Sequence, residues 1–164
     1  VHINNFNIIR SLEVIGWTTL IFGILLGIAD NNLKVTKFFK GLNLKDALAI
    51  GIAQTLAIIP GTSRSGIIIT AGLWIGFSRF DASKYSLLLS IPVIIAATTL
   101  ESINLFFEKG LFFSNEMIIG MILSFCVALI TIRLFMNWIN RASLKVFVIY
   151  RIILGILILV YAYN

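Results

Sequence analysis

Histidine and cysteine are almost missing from this sequence: His2 and Cys126 are the only ones. A Ser-His-Asp triad or a histidine-rich metal site therefore cannot be assembled from this chain alone. An internal disulfide is excluded, and so is a CxxC metal site. Charge is also scarce. Charged residues make up 12% of the chain and apolar ones 59%, whereas a soluble domain carries roughly 25% charged residues. Mean hydropathy is +1.02. That leaves too little polar surface to face water, so a soluble domain is the poor reading and a membrane protein the good one.

The charge that is present is mostly positive, with a formal net of +6. Lys and Arg sit in short segments between apolar runs, where they orient a membrane protein. Nucleic acid is not the partner that this distribution implies. The first residue is Val1, and no basic, cleavable signal segment follows it. A processed chain or a piece of a longer one is the expectation.

Residues 14–29, extendable back to Ile8, form the first apolar run. It spans a bilayer if Arg10 and Glu13 reach the interface, where they are spaced to pair. A polar stretch with Lys34, Lys37, Lys40 and Lys45 follows. The next two apolar segments, 47–59 and 67–76, are each well short of the ~20 residues needed to span. Between them lie Pro60, Gly61, several hydroxyls and Arg64. Two short apolar helices around a polar break predict a re-entrant hairpin over 47–76, since irregular backbone at membrane depth needs protein or a water-filled cavity around it. Spans follow at about 85–100 (with Pro92 as a potential kink), 117–134 and 146–163.

Loop charge tests this order. The stretches 30–46, 78–84 and 133–145 are basic, while 101–116 carries Glu101, Glu108 and Glu116 against Lys109. The positive-inside rule puts the basic three in the cytoplasm and the acidic one outside. That holds only if 47–76 enters and leaves on one side.

The chemistry concentrates in Pro60-Gly61-Thr62-Ser63-Arg64-Ser65-Gly66. Pro60 ends the first half-helix, and Gly61 permits a tight turn. Ser63 or Ser65 caps the second half-helix. Its free N–H groups and positive dipole end, together with the Arg64 fork, suit an oxyanion such as phosphate or diphosphate. The bland alternative is an interfacial loop with Arg64 as a topology anchor. An arginine near the bilayer centre costs about 2.5–3.5 kcal/mol on insertion scales, which favours a functional reason. Arg151, inside the last span, reads as snorkelling to the cytoplasmic end. Gln54 reads as a helical amide satisfying backbone, Arg79 and Asp81 as a solvated boundary, Glu101 as a span end in water, and Gly23/Gly27 as a helix-packing pair.

The run Gln54-Thr55-Leu56-Ala57-Ile58-Ile59-Pro60-Gly61-Thr62-Ser63-Arg64-Ser65-Gly66 resembles the second signature motif of the undecaprenyl-diphosphate phosphatases of the bacitracin-resistance family. The similarity continues through Gly72–Arg79 and Ser86–Pro92 and resumes at Tyr150-Arg151. It implies an all-α, polytopic transmembrane fold of two inverted repeats, each with a re-entrant hairpin. Residues 1–46 would be the last span of the first repeat plus a cytoplasmic linker, and 47–164 the second repeat. The activity implied is hydrolysis of undecaprenyl diphosphate to the monophosphate carrier lipid in the bacterial plasma membrane. A divalent metal, Mg2+ or Ca2+, would assist. Carried over by position, Arg64 binds the diphosphate with Ser63, Ser65 and Thr62 in support, Gly61 and Gly66 shape the loop, and Gln54 is the polar position of the preceding half-helix. Ile68 stands where the family has a threonine, and Thr70 follows two residues later. The family's first motif, with paired glutamates, a serine and a histidine, has no counterpart here. The expectation is half of an active site, inactive by itself, with the metal ligands in a missing N-terminal repeat. A homo-oligomer is left open. A transporter or flippase of an anionic prenyl lipid is the competing class. A histidine-dependent lipid phosphatase lacks its residues here, and a purely structural protein leaves Arg64 unexplained.

Overall fold

A computed structural model describes residues 11–109 and 115–164. His2 and the expected Arg10–Glu13 pair fall outside those residues through positions 2 and 10. Helix α1 (Leu12–Asn31) begins where the Ser11 hydroxyl accepts a hydrogen bond from the Val14 N–H at 3.3 Å, with Glu13 in the favourable first turn. A 3-10 turn (Phe39–Gly41) leads to α2 (Leu44–Thr55), capped by Asn43, which accepts from the Asp46 N–H at 2.8 Å. One further 3-10 turn (Leu56–Ile58) precedes α3 (Arg64–Ile75). Three longer helices follow: α4 (Arg79–Lys109), α5 (Asn115–Ile139) and α6 (Lys145–Tyr163).

Four of these, α1, α4, α5 and α6, are long and apolar enough to cross a membrane. The chain is therefore an all-α, multi-pass membrane protein. Helix α3 has 12 residues, so it extends about 18 Å against a hydrocarbon core of roughly 30 Å. Half of its residues are buried nonetheless, among them Ile67, Ile68, Ile69 and Leu73, because α1, α2 and α4 surround it. By contrast α5 exposes Met121, Phe125, Leu129 and Ile130. Such an apolar surface fits a helix whose solvent is lipid.

Helices α1 and α6 form the most extensive contact, and small residues make it close. A Cβ on Gly16 would stand 2.8 Å from Leu159, one on Gly23 3.0 Å from Arg151, and one on Gly27 3.1 Å from Val148. The Gly23/Gly27 pair thus has the packing role its spacing implies.

The structure lengthens two helices beyond the apolar runs. The segments 78–84 and 101–109, expected outside the spans, belong largely to α4, which continues through Pro92. The Ser78 hydroxyl accepts from the Asp81 N–H and donates to the Asp81 carboxylate, both at 3.0 Å. This capping starts the helix among charged residues, which hydropathy alone reads as a loop. Similarly, α5 begins at Asn115 and ends at Ile139.

The basic segments converge. Asp30, at the end of α1 with its side chain 1% exposed, takes the Arg79 guanidinium in an ion pair and accepts from the Leu144 N–H at 3.2 Å. Arg79 also donates to the Asp30 carbonyl at 3.3 Å. It is a pin between α1 and α4, and the solvated-boundary reading of Arg79 is wrong because the buried carboxylate needs a partner. Gly76, left-handed at φ 104, accepts from the Thr36 and Lys37 N–H groups at 3.0 Å each, and Lys37 bridges Phe77. The chain therefore enters and leaves α2–α3 at the same end, beside Asp30.

Asp30→Ala should lower stability by about 2–3 kcal/mol, the loss of a buried partner discounted for the half-exposed arginine. Asp30→Asn, which keeps an acceptor for Leu144, should lose less. Thermal unfolding in detergent micelles reads both. A wild-type midpoint for Asp30→Ala would remove Asp30 as the junction of the three segments.

Candidate functional site: the loop before α3 and the cavity beside it

Residues 59–63 form a turn in which the Pro60, Gly61 and Thr62 carbonyls face the neighbouring helices. The Pro60 carbonyl accepts from the Thr18 hydroxyl at 2.6 Å, and the Gly61 carbonyl from the Thr19 hydroxyl at 3.3 Å. From the other side Arg151 Nη2 donates to the Gly61 and Thr62 carbonyls at 2.7 and 3.0 Å. Gly61 adopts φ 87, and a Cβ there would collide with the Thr18 hydroxyl and the Ile15 carbonyl. Only glycine meets both demands.

With the carbonyls held in this way, the chain turns into α3 through Ser63 at φ 63, the only non-glycine residue with positive φ among those described. Such a conformation costs on the order of 1–3 kcal/mol and needs surrounding structure to hold it. Ser63 Oγ accepts from the Gly66 N–H at 3.3 Å and stands 3.4 Å from Ser65 Oγ. The first N–H groups of α3 have no intrahelical partners, so donors gather at the start of the helix.

Ser63, Ser65, Gly66 and Arg151 share one cavity of about 360 Å³ with Ser83 and Ser86 of α4. Apart from Thr131, the remaining walls are apolar, including Leu87 and Phe135. The structure thus brings together three of the eight site residues expected from sequence. Gly61 and Thr62 lie just behind, their carbonyls on Arg151. Thr62 is fully buried, and its hydroxyl has no partner among the described residues. Thr70 is 1% exposed and donates to the Gly66 carbonyl within its own helix at 2.8 Å. Gln54, half-buried on α2, does not line the cavity, and its side-chain oxygen is buried without a partner among the described residues. Arg64, in the first turn of α3, is half-buried and outside the cavity walls. It makes no ion pair or side-chain hydrogen bond among the described residues.

Arg151 is the residue that sequence reasoning misjudged. It is 7% exposed and does not snorkel. It turns across to the loop because two backbone carbonyls there lack other strong donors. Room for it comes from glycine twice over: a Cβ on Gly23 would meet its Cβ at 3.0 Å, and one on Gly66 its Nη1 at 2.7 Å. The available signal was the cost of an arginine inside an apolar span. Ser83, Ser86, Thr18 and Thr19 gave no comparable signal, since hydroxyls in apolar helices usually bond to their own backbone.

The cavity's polar groups are hydroxyls, N–H groups and a guanidinium. Mg2+ and Ca2+ take carboxylate and carbonyl oxygens, and the nearby carbonyls are already occupied by Arg151 and the threonines. No cluster of three or more His, Cys, Asp or Glu side chains exists among the described residues. These residues do not fit a divalent metal.

Arg151→Met should cost about 3 kcal/mol, since it removes charge-assisted hydrogen bonds worth roughly 1.5–3 kcal/mol each. It should also expose a cysteine placed at Ser63 to faster thiol labelling. Arg151→Lys should restore part of the stability. An unchanged labelling rate and midpoint in Arg151→Met would mean that the loop holds itself.

Residues 3–157 match the family described as bacitracin resistance protein BacA. The chain is 45% identical over 149 residues to an undecaprenyl-diphosphatase of Marinobacter nauticus, covering 91% of this chain and 56% of that protein. It is 46% identical over 156 residues to one of Pelagibacter ubique, covering 94% and 60%. With one of Teredinibacter turnerae the identity is 44% over 152 residues, covering 93% and 58%. The chain spans somewhat more than half the length of these curated relatives. A family match over nearly the whole chain, carried on an all-helical membrane fold with this loop at its centre, means that the chain belongs to the bacitracin-resistance BacA family.

Proposed function

We propose that this chain forms the anion-clamping part of a membrane phosphatase that converts undecaprenyl diphosphate to undecaprenyl phosphate and inorganic phosphate. The observation that carries the reading is the loop's polarity. Its carbonyls are turned away into Thr18, Thr19 and Arg151, and its donors open at the start of α3. The relatives named undecaprenyl-diphosphatase supply the substrate class.

Arg64 fits this role on electrostatic grounds. A cation at a helix N-terminus faces the positive end of the dipole, an adverse position. Among the described residues it has no counter-charge. A bound oxyanion relieves both problems. In hydrolysis, water attacks the terminal phosphorus, the bond to the bridging oxygen breaks, and undecaprenyl phosphate leaves. Negative charge on the transferring and leaving oxygens shifts as that bond opens. Arg64, the Ser63 and Ser65 hydroxyls and the α3 N–H groups are donors for those oxygens. A base to activate water, and carboxylates to hold Mg2+ or Ca2+, are assigned to the part of the protein that this chain does not span.

In this reading α2 and α3 are a re-entrant hairpin entered from the cytoplasmic side of the bacterial plasma membrane. The adjacent ends of that segment and the shared location of the basic stretches support it. In a Cys126-free background, cysteines replacing Lys45 and Lys84 should label from the cytoplasmic side and one replacing Lys109 from the opposite side. Labelling of positions 45 and 84 from opposite faces would sink the hairpin.

In the full-length protein, Arg64→Ala should reduce phosphate release from a prenyl diphosphate by about 100-fold, the scale of losing an oxyanion donor. Arg64→Lys should recover only part, because a point charge cannot reproduce the two-pronged hold. A folded Arg64→Ala protein with near-wild-type turnover would make Arg64 a topology anchor. Transport of the lipid without phosphate release would favour a flippase.

A further inference from the structure

Helix α4 carries six serines and threonines, and the hydrogen bonding of four of them separates into two kinds. Ser90, Thr98 and Thr99 donate to carbonyls of their own helix at 2.6, 2.8 and 2.8 Å. This is how a hydroxyl is normally accommodated in an apolar helix. Ser83 differs. It is 1% exposed, and its Oγ is buried with no partner among the described residues. An unpartnered buried hydroxyl is destabilising, so its position calls for a partner beyond the described residues.

Its surroundings supply one. Ser83 and the 3%-exposed Ser86 form the α4 side of the cavity that Ser63, Ser65 and Gly66 border from α3. Arg151, whose Nε is also buried without a partner among the described residues, borders it from α6. Hydroxyls and a guanidinium supply the polar side chains of this cavity, with no carboxylate among its walls. A donor-rich pocket of that kind suits an oxyanion. Leu26, Ile69, Leu87 and the edge-to-face pair Phe135–Phe147, with ring centroids 5.9 Å apart, supply an apolar wall. The volume of about 360 Å³ lies within the range of small-molecule pockets, roughly 300–1,000 Å³.

We propose that Ser83, with Ser86 beside it, is a substrate-binding residue that donates a hydrogen bond to a phosphate oxygen of a lipid diphosphate, while the apolar wall takes the first carbons of its chain. The assignment rests on the phosphatase reading for the identity of the lipid. It adds a donor from α4, outside the signature loop, so the anion is held from two helices that border the cavity. Ser83 takes no part in bond breaking, and its loss should act on affinity before rate.

The test uses the full-length protein in detergent and two non-hydrolysable probes, the methylene analogue of farnesyl diphosphate and methylenediphosphonate. Calorimetry reads binding, and phosphate release from farnesyl diphosphate reads activity. Ser83→Ala should weaken both probes by about tenfold, the scale of one hydrogen bond to a charged group. It should raise KM more than it lowers kcat. Its thermal midpoint without ligand should be at or above wild type, because an unpartnered buried hydroxyl has been removed; a merely structural role would move the midpoint down. Ser90→Ala, which alters α4 outside the cavity, should leave binding unchanged. Wild-type affinity in Ser83→Ala overturns the proposal, and so does equal weakening in Ser90→Ala. Equal affinity of the wild type for the two probes overturns the role of the apolar wall. A wild-type protein that binds the lipid analogue yet releases no phosphate overturns the phosphatase reading, and the binding arm still judges Ser83. Binding of neither probe by the wild type overturns both.

Discussion

The grip of Arg151 on the Gly61 and Thr62 carbonyls is the contact on which the site depends. A turn buried among apolar helices must satisfy its backbone without bulk water. Here a guanidinium from α6 and two threonine hydroxyls from α1 do so. The magnitudes are consistent. Ser63 at positive φ costs on the order of 1–3 kcal/mol, and each charge-assisted bond from Arg151 contributes roughly 1.5–3 kcal/mol. Just beyond the fixed carbonyls, Ser63, Ser65 and Gly66 border the cavity. Two glycines, one on α1 and one on α3, serve the same end. Gly23 lets the stem of Arg151 pass between α1 and α6, and Gly66 admits its guanidinium beside α3.

The other polar contacts gather at one end of the helices, around Asp30. A carboxylate buried there ties α1 to the first turn of α4 and to the segment just before α6. Gly76 ties the end of α3 to the linker that precedes α2. Those contacts keep α2 and α3 as a paired unit whose loop projects away from the basic segments. The fold thus separates its charges: counter-charged pairs such as Asp30–Arg79 and Lys37–Asp46 at the basic end, and an excess of donors at the loop. An excess of donors suits an anion, and the proposed binding role of the loop rests on that imbalance.

Much of this was legible in the sequence, for reasons that can be named. Low charge and long apolar runs dictate membrane helices, since few other arrangements satisfy a backbone in lipid. The short apolar segments on either side of residues 60–66 identify two helices too short to cross. Pro60, Gly61 and the hydroxyls mark the turn, and Ser63 caps α3 as its residue type implies. The ends of α4 were not legible, because charged turns capped by Ser78 and continued by Glu101 look like loop to hydropathy while the backbone stays helical.

Sequence by itself determined the number of long helices, the break before α3 and the residues offering donors there. Only the tertiary structure decided which of those donors share a space. Ser63, Ser65 and Gly66 meet Arg151, Ser83 and Ser86 across three helices, while Thr70 turns to its own backbone and Arg64 stands outside the cavity wall. The reason is physical. Local chemistry fixes caps, turns and helix lengths over a few residues, but Arg151 lies about ninety positions from the carbonyls it holds. Its choice between lipid interface and loop depends on the glycines opposite it and on the need of buried carbonyls for a donor, which exists only once the helices have come together.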